Sequence, residues 1–338
     1  MNTIVLQKPG EIRFTQTEAP IDVPKGQALV RVHRVGICGT DWHAYHGRQP
    51  FFTYPRILGH ELGVTIEKIN DPQSKLKAGD RCSVEPYLNC GHCIACRRGK
   101  TNCCATLQCL GVHTDGGMRE RIVVPSNKLH KSDKLNLDQL ALIETLAIGC
   151  HAVDRAAFDK GQTILILGAG PIGLSVIPFA QVAGANIIVA DVAEPRLKFC
   201  QQRMHVPHVI DARNNLLESL KQLTNGDLPT VIFDATGNAK SMSGTFDLVA
   251  PGGKIVFLSI VQSDIAFADP NLHRKEITLL ATRNAVASNF SRIINMVEQG
   301  EIDTAPWITH RASCTNLVET LPTWLTPDAG VIKALVEF

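Results

Sequence analysis

The sequence predicts an α/β protein made of a mainly β, barrel-like domain and a doubly wound parallel sheet. Three observations predict it. Short β-rich runs broken by Gly and Pro turns fill residues 1 to about 130. From about Leu146 the pattern changes to strand, helix, strand, helix. A Gly-x-Gly-x-x-Gly turn follows the first strand of that second region. The 338 residues suffice for two domains of roughly 100–200 residues each.

The first region predicts strands at Thr3–Leu6, Ala28–Val35, Gly63–Ile69, Arg81–Val84 and Glu120–Val124, with polar connections that suit an antiparallel, barrel-like domain. The second predicts strands at Thr163–Leu167, Asn186–Ala190, His208–Ile210, Val231–Asp234 and Lys254–Ser259, with Leu279–Ala281 as a sixth. Strands alternating with helices imply a parallel sheet covered on both faces. Gly330–Phe338 reads as a strand returning to the first domain. The expected limits are therefore 1–146, then 147–281, then 282–338 rejoining the first part.

Composition narrows the function classes. Hydrophobic residues make up 44% and charged residues 20%, as in a packed globular protein. The net charge is +2 with basic residues spread along the chain, which predicts no nucleic-acid and no membrane partner. Ile164–Ala190 carries no charged residue, but four glycines and two prolines interrupt it, so strand–turn–helix–strand is expected rather than a membrane span. Met1-Asn-Thr-Ile-Val lacks a signal-peptide layout, and a cytoplasmic location is expected. Eleven cysteines in such a chain point to metal rather than disulfides.

Thr163-Ile-Leu-Ile-Leu-Gly168-Ala-Gly170-Pro171-Ile172-Gly173 places the glycine turn between an apolar strand and a helix. Gly168 permits the tight turn, Gly170 admits a pyrophosphate to the backbone, and Gly173 lets helix and strand close up. Pro171 suits the first helical turn, whose amide has no intrahelical partner. Asp191 ends the next strand, 18 residues after Gly173, where a carboxylate would bond an adenosine ribose and repel a 2′-phosphate. The expected cofactor is NAD. Arg196, five residues further on, is a milder signal in the opposite direction.

Cys90-Gly-His-Cys93-Ile-Ala-Cys96 precedes Cys103 and Cys104 in one short loop. Four thiolates would close a tetrahedral zinc site, structural rather than catalytic. Either Cys103 or Cys104 can supply the fourth. Upstream lie Gly36-Ile-Cys38-Gly-Thr40-Asp-Trp-His43 and Leu58-Gly59-His60-Glu61. Cys38, His60 and a carboxylate would make an open zinc site, with one position left for water or substrate.

These motifs, together with Ala141-Leu-Ile-Glu144, resemble the medium-chain, zinc-dependent alcohol and polyol dehydrogenases along essentially the whole chain. The resemblance implies a Rossmann nucleotide domain, a GroES-like catalytic domain, two zinc ions per chain, NAD, and a homodimer or homotetramer. It makes Cys38 and His60 ligands of the catalytic zinc, with Glu61 and Glu144 as alternating carboxylates. It also selects Cys104 as the partner of Cys90, Cys93 and Cys96 at the structural zinc. Thr40 and His43 resemble the family's proton relay, with His43 as the base. Ile172, Thr236, Ser259 and Arg283 complete the cofactor contacts implied. Zinc would ease loss of the alcohol proton, as it lowers the pKa of bound water from 15.7 to about 7.

Simple alcohol dehydrogenases carry cysteine where this chain has Glu144, which turns the resemblance toward the polyol, threonine and sugar-acid branch. Thr145 departs from the proline usual after that glutamate. Gln49-Pro-Phe-Phe-Thr-Tyr-Pro-Arg, Gly111-Val-His-Thr-Asp-Gly-Gly and Thr282-Arg283-Asn284-Ala look like the 5-dehydrogenases of L-galactonate and L-gulonate. The expected reaction is oxidation of a secondary alcohol in such a sugar acid or polyol to a ketone. L-Threonine is the alternative substrate. A nucleotide-binding protein without turnover is the remaining alternative, and the intact set of candidate ligands argues against it. Arg283 and His113 are candidates for a substrate carboxylate, with the cofactor or a subunit contact as the alternative for Arg283. Trp42, Phe51 and Phe52 either wall the cleft or pack in the core.

Overall fold

The computed structural model describes residues 1–50, 52–326 and 329–338. In chain order the strands are β1 (Asn2–Lys8), β2 (Glu11–Gln16), β3 (Gln27–Ile37), β4 (Glu61–Asn70), β5 (Arg81–Val84), β6 (Tyr87–Leu88), β7 (Gln108–Cys109), β8 (Arg121–Pro125) and β9 (Leu129–Lys131). They continue as β10 (Thr163–Leu167), β11 (Asn186–Asp191), β12 (His208–Asp211), β13 (Val231–Asp234), β14 (Lys254–Phe257), β15 (Thr278–Ala281), β16 (Ile308–Ser313) and β17 (Lys333–Glu337). The helices used below are α1 (Gly39–Tyr45), α2 (Ile94–Arg97), α3 (Leu137–Ala156) and α4 (Pro171–Val182). Two units form: Met1–Glu144 with Val286–Phe338, and Thr145–Ala285.

In the first unit β3 is the organising strand. Its alternation buries Ala28, Val30 and Val32 while their neighbours stay half-buried, as a period of two requires. The sheet order is β16-β17-β3-β4-β5-β9. Eleven residues give β3 room for β8 along Gln27–Arg31 and β17 along Arg34–Ile37, with β4 on its other side. Ile4, Leu6, Val30, Leu62, Val64, Ile122 and Val336 share its apolar core.

The sheet departs from the expected antiparallel arrangement at one pair, since β16 and β17 run parallel. The residues between them include Leu317–Trp324, a helix, and such a crossover is what a parallel pair needs. Strands β2, β6, β7, β9 and β16 were not foreseen. Each is short or alternates charged and polar residues, as in Glu11-Ile-Arg-Phe-Thr-Gln and Ile308-Thr-His-Arg-Ala-Ser. Their pairing comes from neighbours rather than from their own sequence.

The second unit holds a six-stranded, wholly parallel sheet in the order β12-β11-β10-β13-β14-β15. The winding reverses at β10, so the carboxyl ends of β10 and β13 form the switch point where open α/β sheets bind ligands. Leu165, Leu167, Ile188, Ile232 and Ile255 build its core. The expected strand Lys254–Ser259 stops at Phe257, leaving Ser259 in the following turn. Helix α4 is buried from Gly173 through Ala180, which explains its lack of charge. Among the described residues no helix is long and apolar enough to cross a membrane.

Candidate active site

Cys38 is the N-cap of α1. Its amide donates to Asp41 Oδ2 (2.9 Å), which fixes the start of the helix and the direction of the cysteine. Thr40 and His43, three residues apart, share one face of α1. Thr40 is half-buried and His43 exposed, its ring edge-on to Trp42 at 4.8 Å. Partial desolvation, with Arg48 and His46 nearby, holds the His43 pKa below the ordinary value.

A backbone clamp presents His60. Gly59 has φ +95°, and a Cβ there would meet Val35 Cγ1 at 2.8 Å. Amides of Gly116, Gly117 and Met118 donate to the carbonyls of Ile57 (2.7 Å), Gly59 (2.8 Å) and Leu58 (2.9 Å). A Cβ on Gly116 would fall 2.3 Å from Gly59 O. The Gly111–Gly117 motif therefore shapes the strand lead-in to His60. Gly36 faces Glu61 across β3 and β4, and a Cβ on it would lie 2.0 Å from Glu61 Oε2.

One ligand atom each of Cys38, His60 and Glu61 lies within 4.8 Å of the others. Glu144, in α3, is outside this group although its carboxylate acts electrostatically on His60. Asp41, His60, Glu61, Glu144 and Lys333 are all at most 5% exposed. Burial alone would lower the His60 pKa, but Cys38, Asp41 and Glu144 hold it well above the ordinary value. Burial, with Glu61 adding, raises the Glu144 carboxyl against the pull of His60. His60 Nδ1 is buried without a hydrogen-bond partner. A soft thiol, an imidazole with an orphaned nitrogen and an excess of buried carboxylates fit a divalent zinc ion.

Two further residues were not foreseen. Lys333 Nζ donates to Glu61 Oε1 (2.6 Å) and Oε2 (2.8 Å), and to Ile37 O (3.2 Å). The Tyr87 hydroxyl donates to Glu144 Oε1. A lysine inside the apolar run Val331-Ile-Lys-Ala-Leu-Val was the available signal, because a buried ammonium needs a partner.

Cys90, Cys93, Cys96 and Cys104 converge within 4.8 Å, whereas Cys103 is exposed and outside the group. A tetrahedron with metal–sulfur bonds of ~2.3 Å has sulfur–sulfur edges of about 3.8 Å. The Cys93–Cys96 and Cys90–Cys96 separations of 3.5 and 4.0 Å bracket that edge. Amides of Cys93 and Cys90 donate to the Cys90 and Cys104 sulfurs (3.4 and 3.3 Å). Asn89 donates to Cys96 Sγ (3.6 Å) and accepts from the buried Lys128 Nζ (2.9 Å), bringing positive charge toward the thiols. The donor set fits a closed, four-sulfur zinc site.

In the second unit Gly168 adopts φ +89° and packs against Ala235 and Thr236. A Cβ on Gly173 would fall 1.8 Å from Gly168 O, so the close approach of α4 requires glycine. Gly170 caps α4, with Pro171 first and the half-buried Ile172 next. A Cβ on Gly170 would meet only Arg196 Nη1, at 3.6 Å, which leaves the cradle a pyrophosphate needs. Asp191 Oδ2 accepts from Ala169 N (2.6 Å) and Oδ1 from Ala193 N (2.7 Å), fixing the carboxylate beside the turn. Thr236 gives its hydroxyl to Asp234 Oδ1 (2.7 Å), and Ser259 packs near Gly237. Arg283 is exposed just after β15. The arrangement fits a dinucleotide.

Of the residues considered for substrate, His113 Nδ1 accepts from Cys109 N (3.0 Å) and so shapes its own loop. Trp42 is half-buried and donates to Leu325 O (3.3 Å). Phe52 meets the Tyr54 ring at a tilt of 60°, centroids 4.9 Å apart, and Phe51 lies outside the described residues.

Two family profiles match: the alcohol dehydrogenase GroES-like domain over residues 24–134, and the zinc-binding dehydrogenase over 171–299. The chain is 37% identical to the L-galactonate-5-dehydrogenase of Escherichia coli K12, covering 100% of this chain and 99% of that one. It superposes at TM-score 0.93 and 28% identity on an alcohol dehydrogenase from Escherichia coli CFT073 complexed with NADH, covering 100% and 99% of the chains. A zinc-binding dehydrogenase from Sinorhizobium meliloti 1021 bound to NADP superposes at TM-score 0.90 and 26% identity, with the same coverage.

Proposed function

The chain belongs to the zinc-type medium-chain alcohol and polyol dehydrogenases, and from that premise we propose that it oxidises a secondary alcohol of a sugar acid of the L-galactonate or L-gulonate kind, with NAD as acceptor. The carrying observation is the buried convergence of Cys38, His60 and Glu61, with the Glu144 carboxylate close by. Full-length similarity to an L-galactonate-5-dehydrogenase supports the substrate class.

Cys38 and His60 would hold the catalytic zinc with Glu61 or Glu144. Cys90, Cys93, Cys96 and Cys104 would hold a second ion that braces their lobe. The catalytic zinc supplies a Lewis acid that makes an alcohol easier to deprotonate. NAD, on the turn Gly168–Gly173, supplies the hydride acceptor. Thr40, half-buried, hands the proton outward along α1 to His43, which is exposed and largely neutral near pH 7 because its pKa is lowered. Asp191 accepts the ribose hydroxyls and repels a 2′-phosphate, outweighing Arg196. Ile172, Thr236, Ser259 and Arg283 complete the cofactor contacts. The active form is a homodimer or homotetramer, which light scattering would measure.

The experiment is a panel of aldonates, polyols and L-threonine with zinc-loaded protein, offered NAD and then NADP and followed by nicotinamide absorbance. Turnover with L-galactonate or L-gulonate and NAD is the expected result. Turnover confined to polyols or L-threonine would discard the sugar-acid reading. Preference for NADP would discard the role given to Asp191.

A further inference from the structure

The two carboxylates of the site are held in different ways. Glu61 accepts two hydrogen bonds from Lys333 Nζ (2.6 and 2.8 Å) and still lies within the group formed with Cys38 and His60. It can serve a metal without leaving Lys333, because each carboxylate oxygen has a second lone pair. Glu144 lies outside that group and accepts from the Tyr87 hydroxyl. Tyr87 itself has little freedom. It is 2% exposed, pairs with Cys109 across β6 and β7, and meets the Phe290 ring edge-on at 6.2 Å. Its hydroxyl is a neutral donor, so turning it away from Glu144 would strand no charge, unlike separating Glu61 from Lys333.

We propose that Tyr87 is a positioning residue that holds Glu144 back from the Cys38–His60–Glu61 group, so that Glu144 joins it only when the hydroxyl lets go. The inference rests on reading Glu144 as a carboxylate of the catalytic centre. Tyr87 thereby decides which glutamate serves the site at rest, and it does so from the base of the four-cysteine lobe, three residues before Cys90.

The test compares wild type, Tyr87→Phe, Glu144→Gln and the double variant, each as zinc holoenzyme and with cobalt in place of zinc. Readouts are the visible cobalt bands, the rate of metal loss to a chelator, and kcat and KM separately. In Tyr87→Phe the freed carboxylate enters the group, so the bands shift and metal loss slows by about five- to tenfold, as loss of one hydrogen bond implies. kcat falls by a similar factor with KM little changed, and the double variant shows no band shift relative to Glu144→Gln. 3-Fluorotyrosine at position 87 keeps the ring in place with a stronger O–H donor, and it should move metal loss in the opposite direction. Unchanged bands and metal loss in Tyr87→Phe, with kcat lowered in Glu144→Gln, would overturn the role of Tyr87 alone. If Glu144→Gln alters neither the bands nor kcat, the underlying reading of Glu144 falls, and this proposal with it.

Discussion

Lys333 stands 272 residues from Glu61 in the chain and meets it with two short hydrogen bonds. Removing one partner of a buried ion pair leaves an uncompensated charge and costs about 3–5 kcal/mol. Lys333→Met should therefore destabilise the metal-free protein by about that much in urea denaturation. Stability within about 1 kcal/mol of wild type would mean that the pair contributes nothing. The contrast with the glycine turn and the cysteine lobe shows what a sequence can disclose at this scale. Gly168, Gly170 and Gly173 act over six residues, and Cys90 to Cys104 over fifteen, so local spacing encodes their geometry. Lys333 and Tyr87 act through partners that only the fold supplies, and nothing beside them in the chain names Glu61 or Glu144. Cys104 was selected over Cys103 by family resemblance, and the structure brings Cys104 to the other three.

Strands with β-branched alternation were legible, and β3, β4, β10, β11 and β13 lie where that pattern predicts them. Legibility failed where an element is held by its surroundings. Helix α3, which carries Glu144, starts with a reciprocal cap in which Asn136 Oδ1 accepts from Gln139 N (2.9 Å) and Gln139 Oε1 from Asn136 N (3.0 Å). Its first turn is tied to the sheet through Asp138, which accepts from Arg34 Nε of β3 (2.7 Å) and Arg311 Nη2 of β16 (2.5 Å). Burial raises the pKa of Asp138, yet the bonds from Arg311 and Arg34 prevail and leave it below the ordinary aspartate value. A carboxylate with a lowered folded pKa contributes stability above the unfolded value of about 4 and loses it as pH falls through the folded value. Asp138→Asn should accordingly be less stable than wild type at pH 7, with the gap shrinking toward pH 3. Chemical denaturation at both pH values measures it, and a gap that does not change with pH would show that the charge of Asp138 plays no part.

At the scale of the whole chain, a wholly parallel sheet followed from alternation of strand and helix, whereas the order β12-β11-β10-β13-β14-β15, with the glycine turn at its switch point, is supplied by the fold. The mixed sheet of the first unit was less legible, because its parallel pair β16–β17 is closed by a segment that follows the entire second unit. That order of synthesis has a consequence in the cell. While the chain grows on the ribosome, Thr145–Ala285 emerges complete, whereas the strand that pairs with the second half of β3 has yet to be made. The first unit must wait with its sheet open and Glu61 without its lysine. Ribosome-bound chains stalled before Lys333 should resist protease across Thr145–Ala285 and be cut within Met1–Glu144. Equal protection of both would show that the first unit closes without its last strand. Until that strand arrives, Arg34–Ile37 of β3 is left with an unpaired edge, the feature that makes a growing sheet prone to pair with other chains.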